Sequence, residues 1–348
     1  MKDFDIAQTG ITHLSFSAVR DYLVDRRNFR KRWIDHDFSQ TPELCLIEGS
    51  AFHAGVANYW DQIKAGAETP DIETMRECAK RIIEIEYYKA KEPIKVRIAK
   101  ADIGEYEKMG CEIEETVKEG KGGRKTTTYK AAHTVESILK GIVDNLANYT
   151  VERDQDAYKP ELIEQTFIAT TKDHETGIDN PWPLKMRIDM VALTNETNRV
   201  IVDHKYNGKD PEVDEEGNAV ATPAMILQAA AYVSASHAIK ETLGLTEGKL
   251  TTVIFDIFNK KTGTMTPVLI ETGDKELTAW SRIYTTVQRE LWQAYSTGDF
   301  DKNFLPNPDA MFNSDGWDEF MKDIDYSLEG KKRPENENKQ DDFEAYDL

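Results

Sequence analysis

Cysteines and long apolar stretches are both scarce in this chain of 348 residues. Three cysteines in a chain of this length predict no disulfide framework and favour a reducing compartment. No apolar run approaches the ~20 residues that a membrane-spanning helix needs, and the start of the sequence lacks the apolar stretch of a signal peptide. We therefore expect no membrane association and a cytoplasmic location, in a bacterial or virus-infected bacterial cell.

Basic residues are outnumbered, with 44 lysines and arginines against 63 acids and a net charge of −19. Such a chain lacks the overall basic charge that marks many nucleic-acid-binding proteins. The distribution is uneven, however, because residues 309–348 hold 13 acids and 5 bases, whereas residues 118–130 hold 5 bases and 1 acid. Residues 20–32 and 89–100 are also locally basic. The sequence therefore predicts weak, salt-sensitive nucleic-acid binding rather than none.

The hydrophobic content of 39% is enough for a sizeable core, and its periodicity separates helices from strands. Predicted helices cover about residues 15–33, 46–64, 71–90, 131–149, 222–240 and 274–297. Predicted strands cover about residues 162–169, 187–193, 199–206, 250–258 and 264–270. Helices that flank a mixed central sheet make this an α/β fold.

Two acids stand in neighbouring strands of one predicted hairpin. Asp189 ends the run Arg187-Ile188-Asp189, and Asp203 follows Val200-Ile201-Val202. If Glu196 is the centre of the turn, Asp189 faces Asp203, and the Cβ atoms of facing residues lie about 4.5–5.5 Å apart. Carboxylates that close repel each other unless a cation or a proton lies between them, and a hard divalent cation with oxygen ligands fits.

Lys205 leaves the same strand face as Asp203, because side chains two apart in a strand point the same way. Two acids and a lysine on one patch suggest phosphodiester hydrolysis, with the lysine stabilising negative charge as it develops on the phosphate. The alternative for Lys205 is an ion-pair partner of the two acids.

These residues belong to a longer series of motifs. The chain contains, in order, Leu14-Ser15-Phe16-Ser17, Gly49-x-x-x-His53, Arg187-Ile188-Asp189, Asp203-His204-Lys205 and Gln228-x-x-x-Tyr232. The series resembles the PD-(D/E)XK nuclease superfamily, and within it the RecB-type exonucleases of the CRISPR-associated and AddB-like kinds. The resemblance covers roughly residues 12–240 and implies a restriction-endonuclease-like core, with a helical N-terminal part and an insertion.

The chain also departs from the family pattern. Met186 replaces the usual glycine before Arg187, and Tyr206 replaces the frequent threonine after the lysine. Many relatives bind an iron–sulfur cluster through four cysteines, but residues 25–29 lack the expected cysteine and three cysteines are too few. We therefore expect no iron–sulfur cluster. The glycine-rich stretch 119–125 lacks the Gly-Lys-Ser/Thr ending of a phosphate-binding loop, so we expect no nucleotide.

The resemblance implies a role for each matching residue. Asp189, Asp203, His53 and the main-chain carbonyl of His204 would bind Mg²⁺ or Mn²⁺, and a histidine ligand favours Mn²⁺. Glu164 would join the catalytic set through a metal-bound water. The alternatives are a core or capping role for His53 and a strand-surface charge for Glu164. Gln228 and Tyr232, on one face of a helix, would support the site and contact the nucleic acid backbone.

Basic residues outside the motifs are candidates for phosphate contacts, with a solvated surface as the alternative. Those in the first helix and in the glycine-rich stretch are Arg20, Arg26, Arg27, Arg30, Lys121, Arg124 and Lys125.

The expected function is metal-dependent exonuclease digestion of linear DNA, in recombination, repair or DNA degradation. The expected substrate is single-stranded DNA or DNA with free ends, and the expected partners are a recombinase, a single-strand-binding protein or a helicase. Residues 1–330 are expected to form one nuclease domain, with its helical part at 12–90, the insertion at 91–130 and the core at 160–300. A disordered acidic tail is expected at 331–348. A structure-specific endonuclease and a non-catalytic DNA-binding or assembly subunit remain as alternatives.

Overall fold

The computed structural model describes most of the chain between residues 11 and 297. The described residues are 11–24, 29, 33–34, 43–89, 94–119, 125–153, 157–173, 175–194, 198–238 and 250–297. The acidic tail at 331–348 and the predicted phosphate contacts Arg26, Arg27, Arg30, Lys121 and Arg124 lie outside these residues.

Helices and strands account for most of the described residues. The helices are α1 (Phe16–Val24), α2 (Leu44–Lys64), α3 (Ile72–Lys89), α4 (Ile103–Met109), α5 (Val135–Glu152), α6 (Pro223–Ala238) and α7 (Asp274–Thr297). The strands are β1 (Lys95–Ile98), β2 (Glu112–Glu119), β3 (Lys125–Ala132), β4 (Lys159–Ala169), β5 (Leu184–Thr194), β6 (Asn198–Asn207), β7 (Thr252–Asn259) and β8 (Thr264–Glu271).

A five-stranded mixed sheet forms the centre of the fold, in the spatial order β4-β5-β6-β7-β8. Strands β4, β5 and β6 are antiparallel neighbours, β6 and β7 are parallel, and β7 and β8 are antiparallel. A parallel pair needs a crossover connection, which α6 supplies between β6 and β7. Strand β6 lies in the middle, and its run Val200-Ile201-Val202 is buried on both faces. The mixed α/β fold that the sequence predicts is therefore confirmed.

Two hydrophobic cores cover the two faces of this sheet. On one face, Ile188, Ile201 and Phe255 pack with residues of α1, α6 and α7. On the other face, Met190 and Val202 pack with residues of α2, α3 and α5. Alternate residues of β6 consequently serve different cores, because successive side chains of a strand point to opposite faces.

The segment between α3 and α5 forms a second, three-stranded sheet in the order β1-β3-β2. Both pairs are antiparallel, and a small core that includes Ile98, Cys111 and Ala131 packs with residues of α4. The sequence indicated an insertion with strand-like pieces here, and the structure shows how they pair.

Helix starts follow the capping chemistry of the sequence. The backbone N–H of Ala18 donates to Ser15 Oγ at 3.1 Å, and that of Met225 donates to Thr222 Oγ1 at 3.3 Å. Both hydroxyls satisfy N–H groups that have no partner inside the helix. Helix α1 extends to Val24, and residues 25–28, which would continue it toward the expected end near Trp33, lie outside the described residues. Among the described helices, none is long and apolar enough to cross a membrane.

Candidate active site

The candidate site lies where strands β5 and β6 diverge, just beyond the pair Met190↔Val202, and we call this place the fork. Their ladder runs from Thr194↔Asn198 to Met190↔Val202, which is the register expected from a turn centred on Glu196. The ladder ends there, while β6 continues its pairing with β7 as far as Asn207↔Asn259. Asp189 and Asp203 are the next residues on their strands, so both acids lie where the strands part.

The ladder ends one pair before Asp189 and Asp203, so the direct facing of these two residues stays a prediction. Asp189 Oδ2 accepts a hydrogen bond from the backbone N–H of His204 at 2.8 Å. The reason is that the ladder has ended, so this N–H is available to a side chain. A hydrogen bond to an ionised acceptor is roughly twice as strong as a neutral one. Asp189 is thereby fixed to the main chain of β6 beside Asp203.

Asp189 also lies beside a histidine and a second acid. His53 Nδ1 on α2 is 3.3 Å from Asp189 Oδ2. The pairs Ile163↔Met190 and Gln165↔Ile188 place Glu164 of β4 across from Asp189. One ligand atom from each of His53, Glu164 and Asp189 lies within 4.8 Å of the others. One imidazole and two carboxylates from three elements form a donor set suited to Mn²⁺ or Mg²⁺.

Glu164 occupies this position at a conformational cost. Its φ is +49°, the one positive φ of a non-glycine residue in the described part of the chain. Side chains disfavour this left-handed region, and strain of this kind is typical of functional sites. The side chain is held by Arg187, whose Nε donates to Glu164 Oε2 at 2.5 Å. Neither the strain nor this contact of Arg187 was predicted from the sequence.

Asp203 is buried and held from three sides. Its Oδ1 accepts from Tyr232 Oη at 2.6 Å and from Gln228 Nε2 at 3.1 Å. Lys205 Nζ lies 2.5 Å from Asp203 Oδ2 and forms an ion pair with it. Gln228 and Tyr232 were expected to support the site and to contact nucleic acid. Their side chains donate to Asp203, and Tyr232 is only 7% exposed, so the structure shows the supporting contact.

The charges of the site are unbalanced. Burial raises the pKa of Asp203, and the neighbouring Asp189 raises it further, while Lys205 opposes both. Burial and Asp189 likewise raise the pKa of Glu164. Burial alone would lower the pKa of His53, but Asp189 outweighs it and the pKa is raised. Burial would also raise the pKa of Asp189, which His53 instead holds well below its usual range. Three acids outnumber the two permanent cations, Lys205 and Arg187, which leaves the site with an affinity for positive charge.

A buried pair of opposite charges was missed by the sequence analysis. Asp256 of β7 and Arg153, which follows α5, are joined by a distance of 3.0 Å between Oδ2 and Nη1. Burial raises the pKa of Asp256 to about 6, with Arg153 opposing it, and burial lowers the pKa of His204 to about 3. The available signal was an acid inside the apolar run Val253–Phe258, where an acid needs a partner.

Other predicted residues lie apart from these contacts. Arg20 is on α1 with its side chain 50% exposed, and its Nη2 is 3.6 Å from Asp21 Oδ1. Lys125 is exposed at the start of β3. A metal contact for the His204 carbonyl and DNA contacts for Arg20, Lys125, Gln228 and Tyr232 stay predictions.

Comparison with known proteins gives little guidance. No protein-family model matches the chain, and no curated protein matches it. A solved structure from Eubacterium rectale, named "Putative exonuclease", aligns over 86% of each chain with 12% sequence identity and a TM-score of 0.41. A likeness this loose carries no argument about the activity of this chain.

The positive φ of Glu164 predicts that glycine and alanine differ at this position. Glu164→Gly and Glu164→Ala both remove the carboxylate, but only glycine adopts this φ without strain. We expect the glycine variant to have the higher free energy of unfolding, by about 1 kcal/mol. Urea denaturation in EDTA measures the difference. An alanine variant as stable as the glycine variant would show that the backbone here is unstrained.

The hydrogen bond from Tyr232 to Asp203 predicts a role in metal affinity. Tyr232→Phe keeps the packed ring and removes the 2.6 Å hydrogen bond. We expect the dissociation constant for Mn²⁺, measured by calorimetry, to rise roughly 10-fold, as is typical when a ligand loses its supporting contact. Tyr284→Phe is the matched control, since it removes a buried hydroxyl that donates to the Trp182 carbonyl at 3.1 Å. Equal losses of affinity in both variants would contradict the role of Tyr232.

Proposed function

We propose that this protein is a metal-dependent deoxyribonuclease of the PD-(D/E)XK type, most simply an exonuclease that digests linear DNA. The observation that supports this is the fork between β5 and β6, where Asp189, Asp203 and Lys205 lie together with His53 and Glu164. These are the residues that the resemblance to RecB-type nucleases selects. The mixed sheet with helices on both faces is the core that the same resemblance implies.

The donor atoms at the fork suit a divalent cation. Asp189, Asp203, His53 and the His204 carbonyl would hold it, with Glu164 on a bound water. When bound, the cation polarises the phosphate and lowers the pKa of a water molecule. Because His53 contributes a nitrogen, Mn²⁺ is the better fit, with Mg²⁺ as the alternative.

The protein's own groups then have distinct tasks. Lys205 orients the attacking water and offsets the negative charge that develops on the phosphate, since its ammonium is fixed beside Asp203. Tyr232 and Gln228 hold Asp203 in place from α6. Water attacks phosphorus, the bond to the 3′ oxygen breaks, and the products are a 5′-phosphate and a 3′-hydroxyl.

The proposed setting follows from the same resemblance. The substrate is DNA that is single-stranded or has free ends, in recombination, repair or DNA degradation in the bacterial cytosol. A recombinase, a single-strand-binding protein or a helicase would present such DNA. The exposed Arg20 and Lys125 are candidates for contacts with its phosphates.

Digestion of end-labelled linear DNA beside covalently closed circles tests the activity. We expect Mn²⁺ to support loss of linear DNA only, with less loss in Mg²⁺ and none in EDTA. Lys205→Ala is expected to lower the rate by at least about 100-fold, because it removes the fixed cation. Lys80→Ala, on the outer helix α3, is the control and should keep the wild-type rate.

Each other outcome points to a different function. Cleavage of closed circles would indicate a structure-specific endonuclease. Binding of DNA without cleavage, by folded protein that also binds Mn²⁺, would indicate a DNA-binding or assembly subunit. A fully active Lys205→Ala variant would contradict the proposed site.

Metal binding is also expected to stabilise the fold, because a cation relieves the repulsion among Asp189, Asp203 and Glu164. At a Mn²⁺ concentration 100 times the dissociation constant, the free energy of unfolding should rise by about 2.7 kcal/mol. Thermal unfolding with and without EDTA measures this gain. Asp189→Asn keeps the shape of the side chain, and we expect it to abolish most of the gain. The same gain in Asp189→Asn would place the metal elsewhere.

A further inference from the structure

A buried ion pair lies on the face of the central sheet opposite Asp203. Asp256 is the Cα partner of His204 in the parallel ladder, so both side chains point toward the core formed with α2, α3 and α5. The Asp256 side chain is 0% exposed and that of Arg153 is 7% exposed. Neither residue belongs to the motifs that identify the candidate active site.

Arg153 connects the elements that carry the candidate site. Its backbone N–H donates to the Tyr149 carbonyl at the end of α5, at 3.0 Å. Its guanidinium carbon lies 3.8 Å from the ring centroid of Tyr158, just before β4, and 5.4 Å from that of Trp60 on α2. Trp60 stands two helical turns after His53, and its Nε1 donates to Tyr149 Oη at 2.9 Å. The ion pair therefore lies where α2, α5, β4 and β7 meet.

The link from this cluster to the fork passes through His204. The His204 Nδ1 lies 3.8 Å from Asp256 Oδ2, and the His204 backbone N–H donates to Asp189 on the other side. Arg153 Nη1, at 3.0 Å from Asp256 Oδ2, is closer to this carboxylate than His204 is and balances its charge. A shift of β7 relative to α5 would move the β6 main chain, and with it the group that orients Asp189.

Stability alone does not explain this pair. Desolvating two charges costs about as much as their attraction returns, and apolar residues of similar volume often replace a buried ion pair without loss of stability. What apolar residues cannot supply is an attraction between two specific positions, here one on β7 and one directly after α5. The fork needs such fixed positions, because the ligand atoms of a metal site must be held within fractions of an ångström.

We propose that the Arg153–Asp256 ion pair is a positioning device for the metal site. It locks β7 against α5 and α2 and thereby fixes the His204 main chain, whose N–H orients Asp189. This inference rests on the proposed function, in that it assigns the pair to the same site. Arg153 and Asp256 touch neither the substrate nor the metal, and both act through His204.

The test replaces the pair by apolar residues in the full-length protein. The double variant Arg153→Met/Asp256→Leu leaves no unpaired buried charge, so we expect it to fold with a thermal midpoint close to that of the wild type. Two readouts follow. The first is hydrogen exchange of the His204 amide in EDTA, expected to be at least 10-fold faster. The second is the Mn²⁺ dissociation constant, expected to be about 10-fold higher.

A second ion pair, which joins β6 to β4, serves as the control. Arg199 of β6 and Glu161 of β4 make a two-pronged contact at 2.7 and 3.1 Å, near the hairpin end of the strands. Arg199→Met/Glu161→Leu also replaces an arginine–carboxylate pair by apolar residues, at a partly exposed position, and we expect it to leave both readouts unchanged. Should both double variants respond alike, the effect would reflect general loosening of β6, and the proposal would be overturned.

The two readouts separate this inference from the proposed function. If the wild type binds no Mn²⁺, the proposed function fails, while amide exchange at His204 still tests the positioning role. If the wild type binds Mn²⁺ and cleaves DNA but Arg153→Met/Asp256→Leu keeps native exchange and affinity, the function stands and the positioning role is wrong. An Arg153→Met/Asp256→Leu variant that fails to fold would likewise overturn the proposal, because the pair would then be a requirement of the fold.

Discussion

Repulsion among three carboxylates is the constraint on which the arrangement of this protein depends. Asp189 on β5 lies between Glu164 on β4 and Asp203 on β6, and His53, Arg187 and Lys205 contact these acids. A fold that holds acids this close has to fix each of them from behind. The backbone N–H of His204, the hydroxyl of Tyr232 and the guanidinium of Arg187 do so for the three acids in turn. These three supporting groups come from β6, α6 and β5.

The register of the β5–β6 hairpin is the feature of the site that the sequence predicted most directly. This register follows from the turn and from the apolar pattern, because a slip of one residue would expose the buried face of β6. The order of the motifs then selected His53, Gln228 and Tyr232, which come from helices far apart along the chain. Their proximity to the two acids could not be derived from spacing, because it depends on how α2 and α6 pack on opposite faces of the sheet.

Other features had no local signal in the sequence. The end of the ladder after Met190↔Val202 reflects the divergence of two strands, which no alternation of side chains encodes. The left-handed φ of Glu164 arises at a residue type that rarely adopts it. Strands β4 to β6 and helix α6 lie between Arg153 and Asp256 in the sequence. Only the folded chain therefore shows that the two residues are partners.

The parallel pairing of β6 with β7 has a consequence during synthesis of the chain. Strand β7 emerges from the ribosome only after β6 and the whole crossover helix α6, and pairings between distant segments form slowly. Until β7 arrives, β6 is an edge without its second neighbour, and Asp203 lacks the completed sheet on which α6 packs. A nascent chain that ends before β7 therefore carries Glu164, Asp189 and Asp203 without the complete sheet that positions them. The candidate site is therefore complete only after the last strands of the sheet have formed.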